Sequence, residues 1–157
     1  MSSATITKAS AVLPPAYRFL LMNVESLFAF GGVIMVLVKP QDYVTALTRE
    51  RVASIDSATD FVYTQLGGGW MVIVFIEAVI MRLVDDLRIW KLLCVAILLS
   101  DALYTHSMAQ AVGGWAEWAV LSNWTTNDWV AAITTWPFVL TRVAIVLGIG
   151  YRKEKSS

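Results

Sequence analysis

Four long, mostly apolar stretches separated by polar connections leave this chain few ways to fold. A bilayer core about 30 Å thick takes about 20 apolar residues per helix. A segment inside it must satisfy its own backbone polar groups, which a helix does. The stretches are 17–38, 61–83, 89–112 and 128–150, and they account for most of the 157 residues. One domain therefore covers 1–157, and no second domain fits. The expected fold is all-α, an integral membrane four-helix bundle. Composition agrees, with 57% hydrophobic and 15% charged residues, against about 45–50% and about 25% in soluble domains.

Punctuation between the stretches supports these limits. Pro14-Pro15 sets the first boundary, because the residue before a proline is pushed away from helix, and Lys39-Pro40 closes the first stretch. Residues 41–60 are polar and read as a surface connection, part of it an amphipathic interfacial helix. The charged turn Val84-Asp85-Asp86-Leu87-Arg88 is so short that the helices it joins are antiparallel neighbours. Gly113-Gly114 ends the third stretch. Trp115, Trp118, Trp124 and Trp129 follow, a residue type that favours the headgroup level. Pro137 is expected to kink the fourth helix, which neighbouring helices tolerate in a membrane. Gly67, Gly68 and Gly69 each cost roughly 1 kcal/mol relative to Ala within a helix. They read as a close helix–helix contact or as a widened helix with room for a ligand. Gly31-Gly32 and the Gly67 to Gly69 face also offer surfaces for a homodimer.

Basic residues orient the bundle. With four crossings, the amino end, the Asp85–Arg88 turn and the tail share one side. Lys8, Arg18, Arg82, Arg88, Lys91, Arg152, Lys153 and Lys155 fall there, against Lys39, Arg49 and Arg51 on the other. Both termini are expected to be cytoplasmic, the first span to serve as insertion signal, and the membrane to be the endoplasmic reticulum. Zero net charge gives no reason to expect nucleic acid as a partner. The single cysteine, Cys94, excludes an intramolecular disulfide or a CxxC redox pair and reads as a small apolar helix residue.

Ionisable residues interrupt every stretch away from its ends: Glu25, Glu77, Asp101 with His106, and Arg142. A charge at the bilayer centre costs roughly 2.5–3.5 kcal/mol even on the lenient insertion scale, so these groups are expected to face one another. Counted from the cytoplasmic ends at about 1.5 Å per residue, Glu25, Glu77, Asp101 and Arg142 fall within roughly 10 Å of one level. One Arg with one acid would be a register-fixing ion pair. Three acids with one Arg cannot be neutral when every acid is ionised, so at least one carboxyl should hold a proton. A protonated acid beside an ionised one has the parts for general acid–base chemistry. Tyr17 and Asn23 near Glu25, and Tyr104 with Thr105 on the face of Asp101, are candidate substrate-binding neighbours. His106 is a further candidate, or a structural hydrogen-bonding group. One His and scattered acids lack metal-ligand spacing such as HExxH, and no cofactor motif is present.

The order of these residues resembles a known group. Pro14-Pro15-x-Tyr17-Arg18-Phe19 leading into Val24-Glu25-Ser26, Glu77, Ser100-Asp101-Ala102-Leu103-Tyr104 and Trp136 six residues before Arg142 are similar to small four-span fungal membrane proteins. That group includes the membrane-bound epoxide hydrolases of aurovertin-, asteltoxin- and citreoviridin-type polyketide pathways. The resemblance runs from about Pro14 to Gly150. It departs from the group where related sequences have His near the third-helix acid and this one has Tyr104, then His106. It implies cofactor-independent opening of an apolar polyketide or terpenoid epoxide, with two of Glu25, Glu77 and Asp101 as acid and base and Arg142 orienting them. The substrate would enter from the lipid bilayer. A sterol-isomerase-like or terpene-cyclase-like enzyme is the alternative. A non-catalytic lipid-binding or assembly protein with structural buried charges is the third reading.

Overall fold

Helix boundaries follow the local chemistry closely. A computed structural model describes residues 7–152; the tail residues Lys153 and Lys155 lie outside them. After a short α1 (Ala9–Val12), Pro15 occupies the first turn of α2 (Pro15–Val38), where its missing N–H costs no hydrogen bond. Lys39 leaves helical geometry, and Pro40 opens α3 (Pro40–Leu47) in the polar connection. Asp56 caps the start of α4 (Ser57–Leu83) by accepting from the Ala58 N–H at 2.9 Å. Asp86 does the same for α5 (Leu87–Ala111), accepting from Arg88 N–H at 2.7 Å. Gly113 and Gly114 follow at φ +101° and +118°, a region that disfavours residues with a Cβ. They turn the chain into α6 (Trp115–Trp118). Thr125 and Asp128 form a reciprocal capping box at the head of α7 (Thr126–Leu147).

Every described element is helical, with no strand among the described residues. α2, α4 and α7 are each long and apolar enough to cross a membrane, and the chain is a membrane protein. α5 has 25 residues but carries Arg88, Lys91 and Asp101, and is not one of these three. Large apolar side chains point outward along the rods, with Leu27, Val38, Leu83 and Leu103 each at least 70% exposed. In water such a surface would be an association site; in a bilayer it faces lipid.

Pro137 does more than bend its helix. The first segment of α7 stops at Ile133, Thr135 departs to φ −125°, ψ −55°, and helix resumes at Trp136. Pro137 lacks the N–H that would bond to the Ile133 carbonyl. α2 and α4 are interrupted differently: Leu20–Glu25 and Ile76–Ile80 are π-helical turns. The two π turns pack against each other.

Long-range backbone bonds tie the ends of the rods together. Ala9 N–H donates to Asp85 O at 3.2 Å, Leu87 N–H to Thr7 O at 2.9 Å and Arg152 N–H to Val12 O at 2.9 Å. The amino segment, the α4–α5 turn and the end of α7 therefore share one end. At the other end Arg49 reaches Asp128 at 2.9 Å and Arg51 donates to the Val112 carbonyl. The polar connection lies there with the end of α5 and the start of α7. α2 packs mainly on α4 and α5 on α7. Near the first end an apolar core of Leu13, Leu21, Met81, Trp90, Cys94 and Ile145 closes the space between the two pairs. Gly67 is buried in close contact with Leu37 and Val36, whereas Gly68 and Gly69 face open space.

Candidate acid–base site

Just beyond that core, one guanidinium gathers three carboxyls. Arg142 is fully buried; its Nη1 donates to Asp101 Oδ2 at 2.7 Å and its Nη2 to Glu77 Oε1 at 2.7 Å. The same Nη2 also pairs with Glu25 Oε1. Bonds from a charged donor to carboxylates are about twice as strong as neutral ones. Each partner comes from a different helix, so the cluster cross-links all four long rods. Glu77 is fully buried and Glu25 is 9% exposed. The second oxygens of both glutamates and the Arg142 Nε are buried without a protein hydrogen-bond partner. Glu25 and Glu77 meet at one Nη and Asp101 at the other, and no group of three or more His, Cys, Asp or Glu among the described residues is spaced to hold a metal ion.

The π turns aim the two glutamates. An extra residue in a turn rotates everything beyond it by roughly 100° relative to a regular helix. Glu25 closes the first π turn and Glu77 lies in the second, and both turn inward to the same Nη2. Tyr17 lies elsewhere because of distance along the axis: eight residues at about 1.5 Å each put it about 12 Å from Glu25, toward the first end. Its phenol lies in the core at the first end, close to Gly150.

Above the cluster the two helix pairs leave a cavity of about 400 Å³, within the usual range of roughly 300–1,000 Å³ for small-molecule sites. Glu25, Asp101 and Ser100 contribute to its lining, as do Phe28, Trp70 and Tyr104. Tyr43, Asn127 and Asp128 line it toward the polar connection. Glu77 and Arg142 do not line it. The cavity thus meets two of the three acids, while the third holds the arginine from behind.

Of the substrate-binding candidates from sequence, Tyr104 lines the cavity. Asn23 does not: its Oδ1 accepts from Arg82 Nη2 at 2.9 Å and its Nδ2 donates to the Phe19 carbonyl. His106 is exposed, stacked on Trp115 with ring centroids 5.8 Å apart, and its Nδ1 accepts from the Trp115 indole at 3.2 Å. Phe28 and Trp70 were not singled out by the sequence reading. The signal was available, since Phe28 lies three residues after Glu25 and Trp70 seven before Glu77, both spacings that return to one helix face.

A family model for a domain of unknown function, DUF7704, matches residues 10–152, and the chain belongs to that family. No curated protein and no solved structure matches it.

Proposed function

Taking the chain as a member of the DUF7704 family, we propose that it is a membrane-embedded enzyme that opens an apolar polyketide or terpenoid epoxide by carboxylate acid–base chemistry. One observation carries this reading: three carboxyls share one buried guanidinium, and two of them, Glu25 and Asp101, line a cavity. Three ionised acids with one arginine would leave two uncompensated negative charges. The set is neutral when two carboxyls keep their protons, which puts a proton donor and a proton acceptor on one scaffold.

The chemistry then runs in one step. An ionised carboxylate takes a proton from water as the water oxygen bonds to an oxirane carbon. The C–O bond breaks, and the departing oxygen takes the proton of the neighbouring carboxylic acid. One water is consumed, a diol forms, and the two carboxyls exchange protonation states. Glu25 and Asp101 are the pair, Arg142 orients both, and Glu77 fixes Arg142. An internal hydroxyl in place of water would give a cyclic ether by the same transfers.

The reading includes a fourth crossing. At about 1.5 Å per residue the 25 residues of α5 reach beyond a hydrocarbon core of about 30 Å. The polar midpoint Asp101 is paired with Arg142. Four crossings put both ends of the chain on the side rich in basic residues, the cytoplasmic face, with the endoplasmic reticulum as the membrane.

The test is turnover of a panel of apolar epoxides by purified full-length protein in lipid nanodiscs, with Glu25→Gln and Asp101→Asn beside the parent. General acid–base groups contribute roughly 10²–10⁴-fold, so each variant should lose at least about 100-fold while keeping its helical circular dichroism. Unchanged turnover in both would sink the proposal. The aromatic lining of Phe28, Tyr43, Trp70 and Tyr104 favours a second reading, protonation of an alkene or epoxide followed by cation stabilisation on ring faces. Heavy-oxygen water separates the two: label enters a hydrolysis product and is missing from an isomerised or cyclised alkene.

A further inference from the structure

The cavity has an informative length. It is lined on α2 from Glu25 to Met35, which is about 15 Å at about 1.5 Å per residue. The cavity, of about 400 Å³, is therefore elongated along α2. One wall is built from rings. Trp70 stands edge-on to Tyr43, with centroids 5.7 Å apart, and to Tyr104 at 6.1 Å. Such edge-to-face pairs hold ring orientation as well as burying area. Tyr43 lies on α3, outside the three membrane-crossing helices. Burial first, then the nearby Tyr104 and Tyr63, push its phenol up, so it stays a neutral group at the outer part of the wall.

What sets the position of that wall is Gly32. A Cβ added there would lie 3.0 Å from Trp70 Cζ3 and 3.1 Å from Cε3, tighter than ordinary carbon–carbon contact at about 3.5–4.0 Å. The indole therefore rests where any larger residue at position 32 would put its side chain. Both residues also line the cavity. Gly32 and Trp70 pack on each other within the cavity wall, and a change at either moves that wall.

We infer that Gly32 and Trp70 are specificity-determining residues: together they fix the width of the cavity so that it admits a slender apolar molecule and rejects a broad one. Width discriminates well in a packed site because an oversized group forces off-rotamer side chains and backbone shifts. The inference rests on the proposed function only for which end of the occupant reacts; the width itself does not depend on catalysis.

Binding of two unreactive fluorescent hydrocarbons tests it in full-length protein in nanodiscs, with empty nanodiscs subtracted. Diphenylhexatriene is a rod and perylene is a broad plate. The parent protein should bind diphenylhexatriene saturably and take up perylene no better than empty discs. Trp70→Ala should admit perylene with at least a 10-fold gain. Gly32→Val should weaken diphenylhexatriene at least 10-fold. Gly68→Ala, at a position facing open space outside the cavity, should change neither. Equal uptake of both probes by the parent, no saturable uptake of either, or continued exclusion of perylene by Trp70→Ala would each overturn the inference. Should Gly32→Val fail to fold by circular dichroism, the Trp70→Ala result decides alone. Both probes are unreactive, so loss of the catalytic reading leaves this result standing, and the reverse holds as well.

Discussion

Two inward-turned arginines in this molecule keep very different company. Arg49 in the polar connection pairs with one acid, Asp128, through a 2.9 Å bond. Asp128 is further satisfied by the Thr125 N–H at 2.7 Å and the Thr125 hydroxyl at 2.8 Å. One charge meets one charge, and the same Oδ2 collects all three bonds. Arg142 faces three acids, and the second oxygens of Glu25 and Glu77 have no protein partner. The first arrangement fastens a connection to a helix start. The second is overloaded with carboxyls, and a surplus of that kind is what proton transfer needs. Number of acids per arginine, more than burial, separates a fastener from a site.

Removing the arginines tests that contrast most severely. Arg142→Leu leaves three carboxyls without their cation, and breaking a buried ion pair from one side costs about 3–5 kcal/mol. Thermal unfolding in detergent should show the largest drop of any single substitution in the protein, accompanied by complete loss of the proposed epoxide opening. A variant as stable as the parent would mean that the cluster does not depend on its guanidinium. Arg49→Gln, outside the cavity lining, should cost less, about 1–3 kcal/mol for the lost charged hydrogen bond, and the folded fraction should retain the proposed epoxide opening at the parent rate. A 100-fold fall in that rate would erase the distinction between fastener and site.

A smaller effect belongs to an exposed acid at the first end of the bundle. Asp85 accepts from the Ser10 N–H at 2.7 Å and from its hydroxyl at 2.5 Å. Burial raises its carboxyl, but the Ser10 bonds and the nearby Arg18 and Lys8 outweigh that and hold it below the usual range. A carboxyl lowered in the folded state stabilises above its unfolded value near 3.9, and that contribution fades as pH falls through the lower folded value. Ser10→Ala should therefore unfold slightly more easily than the parent at neutral pH, with the gap narrowing in acid. A gap that widens in acid would reverse the assignment. Solvent screening keeps the effect small.

Glu25, Glu77, Asp101 and Arg142 were legible because a charge within an apolar stretch stands out against its neighbours. Asp128 and Arg49 were not, because charges in or beside a polar connection are ordinary and nothing local marks two of them as partners. Phe28 and Trp70 sat at readable spacings but among six Phe and seven Trp, where helix spacing alone does not say which ring meets a cavity. Tyr17 shares a face with Glu25 by spacing but lies about 12 Å away along the axis, and Asn23 is taken up by Arg82 and the Phe19 carbonyl. His106 shows the reverse problem: its chemistry attracts interest wherever it falls, and only its stacking on Trp115 reveals a surface contact.

Sequence by itself determined that the chain is helical and belongs in a membrane, since backbone groups in lipid have few other solutions. It also determined that four ionisable groups lie at similar depth, because rise per residue is fixed. Tertiary structure decided the rest. It brought Glu25, Glu77 and Asp101 onto one guanidinium, gave two of them to a cavity, and set Trp70 against Gly32. Those outcomes depend on how helices are rotated about their axes and how pairs of helices splay. Rotation here is set by π turns and packing between rods, neither of which hydrophobic spacing along a single chain records.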